Sequence, residues 1–305
     1  MRRVLFAFVV LMASVSGVGA QGPREQLVER YVQACRLARA GSLQPALEQF
    51  DALARENPAW IPAHRALALT ALAAGGAVEE RWRADFSARV RRLRRDVGAS
   101  VGLAVLLRAR GEKAQAHQLL LSSVMAGARS TLLVPLLVDT SADPNGLGSW
   151  FALRAGVLPI DPAFATMRAR LLLDSGQIAQ ARRVIDEALE QSPDYAGLLA
   201  LRAELLTAAG AEAAACEPAA LASGLLLNVV AVPEIRIPRR LALTRSFIAC
   251  DRLDEARTML ASVGPAVSPP GERDPVALVR VVRAELALAR GELLEALTLL
   301  PAATD

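Results

Sequence analysis

Gly41-Ser-Leu-Gln-Pro-Ala46-Leu-Glu-Gln-Phe50-Asp-Ala-Leu-Ala-Arg-Glu-Asn-Pro58 and Gly176-Gln-Ile-Ala-Gln-Ala181-Arg-Arg-Val-Ile185-Asp-Glu-Ala188-Leu-Glu-Gln-Ser-Pro193 carry the same marks at the same offsets. In each, an alanine follows the opening glycine by five residues, a large apolar residue comes four later, and a proline closes the stretch. The glycine–alanine pair returns at Gly111/Ala116, Gly210/Ala215 and Gly291/Ala296, with Asp251/Ala256 as a variant. Each mark has a physical meaning. A glycine ends a helix by entering the left-handed region. A small residue early in the next helix lets two antiparallel helices approach closely, and a proline stops the second helix. A hairpin of this kind cannot bury its apolar stripe alone, so neighbours must stack.

This pattern resembles the tetratricopeptide repeat family, whose unit is a helix–turn–helix of about 34 residues. With Gly75-Gly76 as the turn of the second unit, the turns recur at about that period, with one double-length gap between Gly111 and Gly176. The resemblance implies an all-α, right-handed superhelical solenoid over residues 21–305, with about seven to eight units. First residues fall at Leu27, Ile61, Val97, Pro162, Ala196, Ile237 and Ala277. Residues 131–161 form an atypical unit, and Glu80 stands where the second unit should have alanine. Composition agrees with an all-α reading. The chain is 53% hydrophobic but only 4% aromatic, so alanine and leucine carry the apolar content, and both favour helices. Residues 141–148 and 265–275 read as turn-rich and loop-like interruptions.

The amino terminus reads as an export signal. Arg2 and Arg3 precede an apolar run over 4–15, and Val18-Gly19-Ala20 offers a small-residue cleavage site before Gln21. Residues 1–20 are therefore expected to be a signal peptide, with the mature protein periplasmic or secreted. The alternative is an uncleaved segment anchoring the chain in the inner membrane.

The net charge of +4 shrinks once Arg2 and Arg3 are set aside, and basic residues interleave with Glu and Asp. No nucleic-acid partner is implied. Cys35, Cys216 and Cys250 are too few for a disulfide framework and are expected to pack as small buried hydrophobes. Cys216 and Cys250 fall in consecutive units, which leaves a bridge between them as the alternative. The two histidines, His64 and His117, have no ligand-spaced neighbours and are read as polar surface residues. No phosphate loop, G-x-S-x-G or H-E-x-x-H is present, so neither metal, cofactor nor enzyme activity is expected. A site in the insert from Asp139 to Trp150 is the remaining enzymatic reading.

In the tetratricopeptide family the first helices of successive units line a concave groove. The resemblance places Tyr31, Arg39, Arg65, Arg108, Arg170, Asp174, Glu204, Arg245 and Glu285 along it. Arginine offers bidentate contacts to carboxylates, so an extended, partly acidic protein or peptide is the expected partner. The family's carboxylate-clamp asparagine is replaced by Cys35, Leu69, Val105, Arg170, Glu204, Arg245 and Glu285, so the cytosolic chaperone-adaptor role is not implied. Around the arginine-rich stretch 81–95, Trp82, Phe86, Val90, Leu93 and Val97 share one helical face, read as the buried one. Arg81, Arg91, Arg92 and Arg95 cluster opposite, either as a solvated face or as a contact for a membrane surface or acidic patch. Leu293, Leu294, Leu297 and Leu300 leave an apolar end that a partner or another copy could meet. The expectation is thus a non-enzymatic, extracytoplasmic protein-binding scaffold, with cell-envelope assembly as its expected setting; the rival is a membrane-anchored or membrane-surface adaptor.

Overall fold

The computed structural model describes residues 22–93, 96–155, 161–227, 231–272 and 275–300. The expected signal segment, Arg95 and the last five residues lie outside them. The described residues form sixteen helices and no strand. They pair into hairpins: α1 (Pro23–Arg39) with α2 (Leu43–Glu56), α3 (Ile61–Ala74) with α4 (Gly76–Arg92), α5 (Val97–Ala109) with α6 (Lys113–Met125). After these come α7 (Leu133–Thr140) with α8 (Pro144–Ala155), α9 (Pro162–Asp174) with α10 (Ile178–Gln191), and α11 (Ala196–Ala208) with α12 (Glu212–Leu226). The array closes with α13 (Pro233–Ala249) and α14 (Leu253–Ala261), then α15 (Pro275–Ala289) and α16 (Leu293–Leu299). Each helix packs on its sequence neighbour, and most first helices also pack on the first helix of the next hairpin, as in a solenoid.

The turns explain the repeat. Gly41, Gly111, Gly176, Gly210 and Gly291 all sit at φ between 70° and 83°, and Asp251 takes the same place at φ 57°. In all six, the amide just after this residue donates back to a carbonyl five residues earlier, as in Ser42 to Leu37 at 3.0 Å and Arg252 to Phe247 at 2.9 Å. That bond is the signature of a Schellman stop, which needs a left-handed residue. Aspartate tolerates that region better than most side chains. The alanines five residues on, from Ala46 to Ala296, are at most 1% exposed, so each lies at the helix–helix contact. Pro58 and Pro193 act on the residues before them: Asn57 and Ser192 leave the helix at φ −134° and −141°.

The helix starts agree with the repeat marks at Ile61, Val97, Pro162 and Ala196. Three helices begin earlier than the marks, at Pro23, Pro233 and Pro275. The added turn of α13 has a physical origin, because Pro233 is well suited to a first turn and the later Pro238 is carried inside the helix. The 141–148 stretch is also more helical than expected. Asp143 accepts the Gly146 amide at 2.9 Å, and α8 begins at Pro144.

Three further expectations are corrected. Leu93 is 54% exposed rather than buried, because α4 stops at Arg92 and Leu93 turns away with φ −133°. Cys216 and Cys250 are bridged, with Cα atoms 5.8 Å apart, whereas Cys35 is buried and free. His64 is not a surface residue. It is fully buried, its Nε2 3.0 Å from the Pro58 carbonyl, under a position of α5 that only glycine fits: a Cβ on Gly98 would stand 2.5 Å from that carbonyl oxygen. His117 is half-buried, with Nδ1 3.1 Å from the Thr140 hydroxyl.

Burial, helped by the nearby Arg89, holds the His64 imidazole down to about 4. Between that value and the ordinary 6.5, the unfolded chain binds a proton that the folded chain refuses, so stability falls as pH drops through this window. About 3 kcal/mol is the expected loss at 1.36 kcal/mol per unit. Urea unfolding of the wild type and His64→Leu at pH 7 and pH 4.5 checks this; equal pH dependence in the two proteins would contradict it.

Buried side chains form two cores, one over hairpins one to four and the other over the later hairpins, meeting at α9. Val232, Ile235 and Val267 pack with the first core although they are far from it in sequence. The later part of the chain therefore returns across the concave face of the first hairpins.

Candidate functional site

The concave face is built from the first helices of the hairpins, and its charges fall into three groups. In the middle and far parts, side chains pair from one unit to the next. Arg170 of α9 reaches Glu204 of α11 at 2.8 Å and Asp174 of its own helix at 3.0 Å. Arg245 of α13 grips both oxygens of Glu285 of α15, at 2.8 and 2.9 Å. Arg108 of α5 pairs with Asp139 of α7, which Arg108 and Lys113 together hold below the usual carboxylate range. An arginine and an acid about one repeat apart thus form a register ladder. All three pairs are a third to a half exposed, where an ion pair contributes about 0–1 kcal/mol.

The second group is covered by the chain itself. Tyr31 is 1% exposed and donates to the Glu234 carboxylate at 2.5 Å. Its ring also meets Phe50 and Trp60 edge-on, with centroids 5.5 Å away in each case. Arg39 donates to the Ser268 carbonyl at 2.9 Å and to its hydroxyl at 2.8 Å. Arg65 pairs with Glu272, and both side chains are largely buried. Burial dominates here. It pushes the Tyr31 phenol and the Glu234 carboxyl up, pulls the Arg65 guanidinium down, and raises the Cys35 thiol so that it stays protonated.

Glu234, Ser268 and Glu272 were not among the groove residues read from the sequence. Glu234 lies in the extra turn of α13, and the other two lie in the 265–275 loop. No local pattern reveals that either segment lands on helices some 200 residues earlier.

The third group is unpaired. Arg239 of α13 and Tyr195 line a cleft of about 280 Å³ where the first helices begin, together with Arg24, Arg129, Thr166 and Trp60. Arg129 is committed to Asp161 at 2.9 Å, to the Val124 carbonyl at the end of α6 and to the Ala128 carbonyl just beyond it. Arg239 has no acidic partner among the described residues, and burial pulls its guanidinium down, offset in part by Tyr195. This contrasts with Arg240 next to it, which is buried but satisfied by the carbonyls of Ser262, Leu226 and Leu227. Among the described residues no group of three or more His, Cys, Asp or Glu is placed to hold a metal ion.

On the outer side, Arg81, Arg91 and Arg92 are exposed. Arg81 covers Trp82 at 5.5 Å, and Arg91 reaches the Ser87 hydroxyl at 3.3 Å. Arg89, from the same helix, is instead bound to Asp96, the cap of α5. No described helix is long and apolar enough to cross a membrane.

No family model matches the sequence, and no curated protein matches it. Solved structures do. Yeast Tom70 superposes with a TM-score of 0.50 at 13% identity, covering 93% of this chain and 60% of that one. Cut9 with Hcn1, from the APC/C hetero-tetramer, gives 0.49 at 11% identity, covering 84% and 50%. A tetratricopeptide repeat protein from Parabacteroides merdae gives 0.43 at 14% identity, covering 88% and 98%. The chain spans about half to three fifths of the length of the first two. At these identities the likeness is one of fold.

Proposed function

We propose that this tetratricopeptide-repeat solenoid is a protein-binding scaffold that works outside the cytoplasm and holds an acidic, extended segment of another protein on its concave face. The observation that carries this is Arg239. Arg239 is half-buried with no acid beside it, so a carboxylate arriving there would gain a charge-assisted contact that the chain itself does not supply. A residue kept in that state, in an open cleft beside Tyr195 and Arg24, is suited to receive a carboxylate from outside. The ladder pairs extend the same surface, and their small individual strength lets incoming carboxylates exchange with them.

Two observations support the location: the signal-like 1–20 segment and the Cys216–Cys250 bridge, a pairing that persists in oxidising compartments. Mass spectrometry of the exported protein, with an amino terminus at Gln21, is the expected result; a retained Met1 favours anchoring instead.

The groove is tested with a fluorescent oligoglutamate peptide. Arg239→Met should weaken binding roughly tenfold, the loss of one charge-assisted contact. The same change should leave the melting temperature nearly unaltered, because Arg239 is half-buried and holds no acid of the folded chain. Unchanged affinity in Arg239→Met, or no binding by the wild type, overturns the reading.

A further inference from the structure

The link between α14 and α15 is far longer than the others in the array. It runs over 262–274, where consecutive hairpins are usually joined by two to eight residues. It is also not a free loop. Val263, Ser268 and Pro269 are buried, and Val267 packs on the first core. Pro265, Pro269 and Pro270 remove backbone donors, which suits a chain lying extended over side chains rather than pairing with a backbone. Its polar atoms are taken by two arginines from the first two hairpins: Arg39 holds the carbonyl and hydroxyl of Ser268, and Arg65 holds the carboxylate of Glu272. Arg236 adds a bond to the Pro265 carbonyl at 3.4 Å. Nothing about joining α14 to α15 requires this excursion to α1 and α3.

We infer that the segment 263–272 is an internal stand-in for a partner. It occupies the Arg39/Arg65 end of the groove, and it shows the chemistry that end accepts: an irregular, proline-containing segment with a hydroxyl and, four residues on and across a turn at Gly271, a carboxylate. A partner segment of that kind must displace it. This inference rests on the acidic-segment reading above and adds where the second anchor lies and what guards it. A tethered segment competes at an effective concentration in the millimolar range. The strap therefore excludes weak or sparsely charged ligands, while a segment that engages the Arg239 cleft as well can strip it away.

The test uses the full mature chain and the same oligoglutamate probe. Ser268→Ala with Glu272→Gln removes the strap's side-chain contacts to Arg39 and Arg65 and leaves only its backbone carbonyls as acceptors, and about tenfold tighter binding than wild type is expected. Adding Arg39→Gln and Arg65→Gln should erase that gain. If the wild type binds and the strap variant binds no better, the strap inference fails while the groove reading stands; if neither binds, both fail. Hydrogen exchange of the wild type avoids reliance on variants. Saturating peptide should speed exchange of the amides within 264–272, and unchanged exchange there under saturation overturns the inference.

Discussion

Phe86→Ala is expected to lower the unfolding free energy by about 3–5 kcal/mol, the range for removing a fully buried aromatic ring. Phe86 is 0% exposed and fills the gap between the second and third hairpins. It lies 6.0 Å from the Trp82 ring and 6.4 Å from His64, and Arg89 covers it at 5.9 Å. Opposite it, α5 presents Gly102, where a Cβ would come within 2.6 Å of the ring tip. Ring and glycine are therefore one shape. Once the ring is gone, a glycine has no side chain to move into the space, and the cavity persists. In a solenoid each unit rests on its neighbours, so the damage should spread along the stack from α4 and α5. Urea unfolding followed by circular dichroism measures it, and a loss below about 1 kcal/mol would show that the site collapses freely.

Breaking the Cys216–Cys250 bridge is expected to cost about 4 kcal/mol, from the loop-closure entropy of a cross-link of this span. The two cysteines are 34 residues apart, so the bridge joins the second helix of one hairpin to the turn of the next. It holds the register of the half of the array that also carries Arg239 and the strap. Cys216→Ser with Cys250→Ser, or the wild type under reductant, should lose that stability. Reductant should do nothing further to the double variant. Identical urea midpoints with and without reductant in the wild type would contradict the prediction.

The repeat was legible in the sequence because each of its marks answers to one local constraint. Gly41 and Gly176 mark left-handed turns, Ala46 and Ala181 mark close helix contacts, and Pro58 and Pro193 mark stops. Such constraints act within a few residues, so a pattern can reveal them. The groove was legible only as a row of positions. Arg108, Arg170 and Arg245 were picked as single positions on first helices, but their pairing with Asp139, Glu204 and Glu285 depends on stacking between units. An acid about one repeat after each arginine is the signal that could have exposed it. Nothing of that sort marks Glu234 or Glu272. The partners of Tyr31 and Arg65 come from a helix start and a loop whose placement is set by the curvature of the entire array. His64 misled for a similar reason: its burial follows from Gly98, a small residue on another helix.

The central claim is that the stacked hairpins curve until the link after α14 meets the first helix. Gln33 of α1 and Pro265 of that link line one cleft and offer a direct measurement. Cysteines placed at both positions would be the only reactive thiols, since Cys35 is buried and protonated and the other two are bridged. A short bis-maleimide should join them within one chain in high yield, seen as a single cross-linked peptide pair whose yield does not change on dilution. Two separately capped thiols, with no peptide pair, would mean an open superhelix and contradict the account.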